Sequence, residues 1–109
     1  MSFDAGLAER VREILDDTTG IAEKRMFGGI AFLRHGNMFV GVVESSLMVR
    51  VGPRLYPEAL AMPGAREMDF TGKPMKGYVF VDERGTHRDR DLAAWVERGL
   101  KFVRTLPNK

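Results

Sequence analysis

Apolar residues near the start of the chain recur at the spacing of an amphipathic helix. Between residues 4 and 17 they fall at i, i+4, i+7 and i+8, positions that share one helix face, and charged residues occupy the places between them. The apolar positions are Leu7, Ala8, Val11, Ile14 and Leu15. Gly20 follows and suits the end of a helix. The pattern predicts a first helix over residues 4–17.

The period then changes to that of short strands. Apolar runs separated by polar turn residues predict an antiparallel meander of three strands over residues 24–33, 38–43 and 47–51. The pair Gly28-Gly29 predicts a bulge or bend within the first of these strands, because glycine takes backbone angles that a side chain forbids.

The second half continues the alternation of elements. Pro53 suits the start of a short helix that ends before Pro63. Residues 67–71 alternate polar and apolar, residues 72–74 form a turn signal, and residues 77–81 predict a fifth strand.

A last helix is predicted to follow the fifth strand. Thr86 and Asp89 resemble a capping box at its start, and it runs to Leu106, where Pro107 ends it. Its buried stripe comprises Leu92, Val96, Gly99, Leu100 and Val103, flanked by Trp95, Phe102 and Leu106.

These elements follow the order α-β-β-β-α-β-β-α. The order predicts a two-layer α+β fold in which helices pack on one face of a mainly antiparallel five-stranded sheet. No linker, internal repeat or low-complexity segment divides the chain, so residues 1–109 are expected to form a single domain.

Composition narrows the chemistry and the compartment. The 109 residues include no cysteine, which excludes disulfides, thiol catalysis and iron–sulfur clusters. The N-terminus lacks the pattern of a signal peptide, and the longest apolar runs are too short to span a bilayer. The cytosol is therefore the expected compartment, and no membrane contact is expected.

Charge is distributed unevenly although the net charge is only +2. Residues 1–20 carry two basic against five acidic side chains, a net charge of −3, whereas residues 84–109 carry seven basic against three acidic side chains, a net charge of +4. Two readings remain open: solvated polar faces, or surfaces for partners of opposite sign.

Recognisable catalytic and ligand-binding motifs are missing from the sequence. His35 and His87 have no second ligand at metal-binding spacing, and Ser45 has no nucleophile motif around it. Neither Gly72-Lys73 nor Gly28-Gly29 has the context of a phosphate-binding loop. We therefore expect no catalytic, cofactor-binding or metal-binding residues, no cofactor and no enzymatic activity.

The last segment offers the best candidates for nucleic-acid contacts, because phosphates are bound by arginine and lysine. We expect Arg98 to face water there. The candidate residues are Arg88, Arg90, Arg98, Lys101 and Arg104. Asp89, Asp91 and Glu97 dilute this charge, and no aromatic-basic interleaving of the RNA-binding type accompanies it.

Seven methionines are present, and most lie in or beside predicted elements. They can fill the core, or they can form an adaptable partner-binding surface.

One resemblance covers nearly the whole chain, from about residue 4 to residue 106. The run Lys24-Arg25-Met26-Phe27-Gly28-Gly29 and its downstream residues resemble the TfoX N-terminal domain family. The downstream residues are Phe32, Gly36, Met38, Phe39, the segment 47–51, Pro53, Phe70, Lys73, Pro74 and Tyr78. The resemblance implies the same α-β-β-β-α-β-β-α order, and it supplies no catalytic residues.

Longer members of that family regulate competence for DNA uptake together with a transcription activator, and they carry a second, C-terminal domain. This chain is expected to be a stand-alone N-terminal domain. The resemblance implies a non-enzymatic regulatory module of a bacterial cell that binds another protein. Nucleic-acid binding through the last helix is the alternative, and a homodimer remains open.

Overall fold

Six antiparallel strands form the sheet in the computed structural model, which describes residues 3–26, 28–68 and 75–108. The strands run in the order β1-β2-β3-β4-β6-β5. They are β1 (Ile21–Met26), β2 (Gly29–Arg34), β3 (Asn37–Val43), β4 (Ser46–Arg50), β5 (Ala65–Glu67) and β6 (Tyr78–Val81). Four helices are described: α1 (Ala5–Ile14), α2 (Tyr56–Leu60), α3 (Glu83–Thr86) and α4 (Asp89–Val103). The predicted α+β class and the antiparallel sheet are confirmed.

The predicted count of five strands was wrong, because the first predicted strand is a hairpin. Gly28 has a φ of 74° and lies in a tight turn, across which Met26 pairs with Gly29. The glycine pair therefore reverses the chain instead of bulging or bending one strand. The strand β1 lies at the edge of the sheet with four consecutive exposed residues, so it lacks the apolar alternation that identifies a half-buried strand.

Element boundaries also differ from the prediction. The first helix ends at Ile14, and the second begins at Tyr56 rather than near Pro53. The predicted strand over 67–71 begins earlier, at Ala65, and residues 69–71 lie outside the described residues, as do Phe27 and the predicted turn at 72–74.

A short helix, α3, separates β6 from the last helix. Asp82 caps α3 through its side chain, which accepts a hydrogen bond of 2.9 Å from the N–H of Arg84. Thr86 lies at the end of α3 and its hydroxyl donates to the Asp82 carbonyl at 3.4 Å. The predicted capping box was therefore wrong: α4 begins after Arg88, which makes no side-chain capping bond.

The core lies between one face of the sheet and the helices. Cross-strand partners there form continuous apolar rows, such as Phe32–Val40–Val49–Val79. The predicted stripe of α4 packs on these rows, with Leu92, Val96, Leu100 and Val103 buried. The helices thus cover one face, as predicted.

A bulge in β3 sets the distance between this sheet face and α4. Phe32 pairs with Val40 and Leu33 pairs with Met38, so Phe39 is an extra residue with no partner on β2. Both Phe39 and Val40 are fully buried in the core. Gly99 of α4 lies over the bulge, where an added Cβ would stand 2.6 Å from the Phe39 carbonyl oxygen.

We expect Gly99→Ala to destabilise the domain by about 1–2 kcal/mol, because the clash with backbone outweighs the gain of about 1 kcal/mol in helix propensity. The measurement is the free energy of unfolding in urea. Ala94, exposed on the same helix, provides the control: Ala94→Gly should lose about 1 kcal/mol from propensity alone. A stabilised Gly99→Ala variant would contradict the close approach of α4.

Candidate interaction surfaces

The two histidines occupy separate turns. His35 has a φ of 49°, its N–H donates to the Gly20 carbonyl at 3.0 Å, and its ring packs against Gly20. His87 is exposed where α3 gives way to α4. Across residues 3–26, 28–68 and 75–108, no group of three or more potential ligand side chains lies close enough together to hold a metal ion. The structure therefore assigns no ligand set to either histidine.

An open cleft of about 440 Å³ lies between the start of α1, the β3–β4 turn and α3. Its polar lining includes Asp4, Arg10, Ser45, Glu83 and His87. Two of these groups have structural partners. The Asp4 side chain accepts from the N–H of Leu7 and caps α1. The Arg10 guanidinium donates to the Thr86 carbonyl at 2.8 Å and to the Asp89 carboxylate at 3.0 Å. Arg10 therefore joins α1 to the junction of α3 and α4.

Two ion pairs lower the pKa values of carboxylates elsewhere on the domain. The paired guanidinium of Arg12 lowers the pKa of Glu23, and that of Arg84 lowers the pKa of Asp82. Burial, with a smaller effect of the Glu67 charge, raises the pKa of Tyr56. The carboxylate shifts are explained by ion pairs that stabilise local structure, so they give no sign of a general acid or base.

Four of the five predicted nucleic-acid residues are exposed on or beside α4. Arg90, Lys101 and Arg104 lie along one solvent-facing stripe, and Arg88 precedes the helix. Arg104 is paired with Glu97, with 3.0 Å between the guanidinium and carboxylate groups. In the described part of the chain, Arg88, Arg90 and Lys101 have no ion-pair partner. The structure therefore brings three of these cations to one side of the helix.

The expectation that Arg98 faces water was wrong. Arg98 is half-buried, and its guanidinium carbon lies 4.8 Å from the centroid of the Trp95 ring. Its position on the helix lies between the exposed stripe and the buried one, so the long side chain can turn toward the neighbouring tryptophan. This residue is not part of the solvent-facing basic stripe.

The sheet face opposite the helices carries a second apolar cluster, which we call the Met-rich face. Its residues are Met38, Val43, Met48, Met68, Tyr78 and Phe80. Among the described residues, none in this cluster comes from a helix. Met48 and Met68 are buried and fill the centre of the cluster. Met38 is half-buried, so part of its side chain is open to a partner.

Basic side chains lie on the aromatic rings of the Met-rich face. The guanidinium of Arg66 lies 4.7 Å from the ring centroid of Phe80, and that of Arg50 lies 5.6 Å from Tyr78. The strand register places Lys24 on the same face as Arg66, at the opposite end of one cross-strand row. Within the described strands, the charged residues of this face are therefore all basic.

Little of the apolar area of this face is open. Among the described large apolar side chains, the exposed ones are Leu55 at 39% and Met75 at 36%. Met75 adjoins the Met-rich face, because its N–H donates to the Met68 carbonyl at 2.9 Å. The accessible part of the face is consequently a rim of methionine, tyrosine and arginine around a buried centre.

The length of α4, the longest described helix at 15 residues, falls short of a membrane span. None of the described helices combines the required length with sufficient hydropathy.

A family model described as the TfoX N-terminal domain matches residues 13–103, which include all six strands and α4. The chain belongs to the TfoX N-terminal domain family. No curated protein and no solved structure matches it. The resemblance seen in the sequence is thus confirmed, and this TfoX N-terminal domain has the two-layer architecture described above.

The ion pair between α1 and β1 predicts a specific pH dependence of stability in this TfoX N-terminal domain. The Glu23 carboxylate accepts from Arg12 at 2.7 and 2.8 Å, and its lowered pKa means that the pair stabilises the fold above the unfolded-state pKa of Glu, about 4.3. That stabilisation is lost as the pH falls through the lower, folded-state value.

We expect Glu23→Gln to lose stability relative to the wild type at pH 6, and the difference should shrink as the pH falls below the unfolded-state pKa of Glu, about 4.3. The difference at pH 6 should not exceed about 1 kcal/mol, because the two side chains are 37% and 36% exposed. Urea unfolding at a series of pH values measures it. Glu58→Gln, an exposed change on α2, is the control. Parallel pH profiles for wild type and Glu23→Gln would contradict the proposed pairing.

Proposed function

We propose that this domain is a non-enzymatic regulatory module that binds another protein through the rim of its Met-rich face. The observation that carries the proposal is the placement of Tyr78 and Arg66 on a sheet face whose apolar cluster includes no residue from a described helix. Tyrosine, arginine and methionine are enriched at protein interfaces, and methionine adapts its shape to a partner.

The size of the open rim indicates the class of interaction. Permanent complexes usually bury a large exposed apolar surface. The described part of the Met-rich face has no such surface, because its central residues are buried. A modest rim with adaptable side chains suits a transient regulatory contact. Membership of the TfoX N-terminal domain family supports a regulatory role, and the cytosol is the compartment in which we place it.

A direct test uses tagged protein to capture partners from the native cell lysate, with and without nuclease. A partner that survives nuclease treatment should bind the purified domain, and Arg66→Glu with Met75→Asp should weaken that binding at least tenfold, about 1.4 kcal/mol. Both residues are exposed, so the fold should persist. Lys101→Glu on the opposite layer is the matched control. Equal weakening by both variants would contradict the placement of the interface.

Nucleic-acid binding through α4 is the second candidate, favoured by the unpaired Arg90 and Lys101 on one stripe. These two positions are eleven residues apart, about 16 Å along the helix axis. With Arg88 and Arg104 the surface provides at most four phosphate contacts, fewer than the six to ten of strongly salt-dependent binders, so its affinity should be low.

If α4 binds duplex DNA, the slope of log affinity against log salt concentration should be no steeper than about −3.6. Arg90→Glu with Lys101→Glu should then abolish binding in a fluorescence anisotropy titration. Lys24→Glu, on the edge strand of the sheet, should leave DNA affinity largely unchanged because it lies on the other face. Undiminished affinity in the double variant would exclude this surface.

A further inference from the structure

The guanidinium of Arg98 contains a buried N–H group that has no acceptor among the described residues. Its Nη1 atom is buried and makes no hydrogen bond to any part of the chain that the structure describes, although Arg98 as a whole is half-buried. Stacking on Trp95 satisfies the face of the guanidinium, since a cation is attracted to the ring. It leaves the buried Nη1 donor without a partner among the described residues, and a buried donor of a charged group normally has one.

Trp95 and Arg98 line a small cleft on the helix layer, about 170 Å³ in volume. The cleft lies where the turn before β5 meets α3 and α4. One wall is apolar, formed by Met62, Pro63 and Trp95. The polar groups around it are Arg84, Asp91 and Arg98.

The charged groups of the cleft differ in whether they have an ion-pair partner. Arg84 donates to the Asp82 carboxylate through Nε at 3.3 Å and Nη2 at 3.1 Å, so its charge is matched locally. No ion pair engages Arg98 or Asp91 within the described residues. Arg98 is therefore the cation of the cleft whose charge no described side chain matches. Asp91 lowers the amount of negative charge that a ligand of the cleft can carry.

These features define the chemical group of a ligand that fits the cleft. A hydrogen-bond acceptor must reach Arg98, which favours a carboxylate because arginine binds carboxylates through charge-assisted bonds. A multiply charged phosphate would be repelled by Asp91 and the nearby Asp82. The apolar wall suits the methylene groups of a longer acidic side chain.

We propose that this cleft binds a glutamate side chain presented by an acidic segment of a partner protein. The cleft lies on the helix layer, on the other side of the sheet from the Met-rich face, and the proposal does not rest on the function assigned to that face.

The single tryptophan of the chain provides a direct probe of this cleft. Its indole N–H gives one side-chain peak in a ¹H–¹⁵N correlation spectrum, so a shift of that peak reports on Trp95. The probe is acetyl-Ala-Glu-Ala-amide, compared with acetyl-Ala-Gln-Ala-amide at equal ionic strength. We expect a saturable shift with a Kd of about 1–10 mM for the glutamate peptide and at least fivefold weaker binding of the glutamine peptide.

Variants separate binding from structure. Arg98→Gln should abolish the shift, whereas Lys101→Gln, exposed on the same helix, should retain it. Asp91→Asn should bind the glutamate peptide two- to fivefold more tightly, because it removes the nearby negative charge. That gain tests the cleft even if Arg98→Gln proves unstable.

Four results would overturn the proposal. They are no shift of the Trp95 peak up to about 50 mM peptide, equal affinity for the glutamate and glutamine peptides, saturation of the same peak by inorganic phosphate at lower concentration, and a shift on concentrating the protein alone. The last result would assign the cleft to a second copy of the chain.

Discussion

The close contact between α4 and the bulged strand β3 is the constraint on which the helix layer depends. The extra residue Phe39 turns two successive side chains of β3 into the core, and its carbonyl reaches a position that only a glycine on α4 can accommodate. Gly99 therefore fixes both the height and the rotation of α4 over the sheet. That rotation decides which side chains of the helix meet solvent and which meet the sheet.

Several features of the molecule follow from this rotation. With Gly99 against the sheet, Trp95 lies one turn earlier on the same side, where it contributes to the core and reaches the cleft below α3. Arg98 lies at the border between core and solvent, so its aliphatic part is covered and its guanidinium stacks on the indole. The exposed stripe retains Arg90 and Lys101. One packing contact thus separates a solvated basic stripe from an arginine held in a cleft.

The sequence was informative wherever an element buries one continuous face. The stripe of α4 and the strands β3 and β4 were predicted because their apolar periods match those of a packed helix and of buried strands. The prediction joined the edge strand β1 to β2 as one strand. Ala22, Glu23, Lys24 and Arg25 are all exposed, so β1 shows no alternation of apolar and polar residues. The four-residue helix α3 is too short to show a period. The Arg98 cleft brings together residues 62–63, 84–85, 91, 94–95 and 98, and no local sequence pattern predicts that these residues meet.

The uneven charge of the sequence has a partly internal explanation. The two basic side chains of α1 are engaged within the fold: Arg12 pairs with Glu9 and Glu23, and Arg10 binds Asp89 at the start of α4. Near the C-terminus, Arg84 pairs with Asp82 and Arg104 pairs with Glu97, so these two cations are also engaged within the fold. In the described part of the last segment, the cations without an ion-pair partner are few and separated, so they form no continuous basic surface. Such a distribution is poor for tracking a phosphate backbone, which needs several contacts in a row, and it is adequate for discrete contacts with carboxylates on a protein partner.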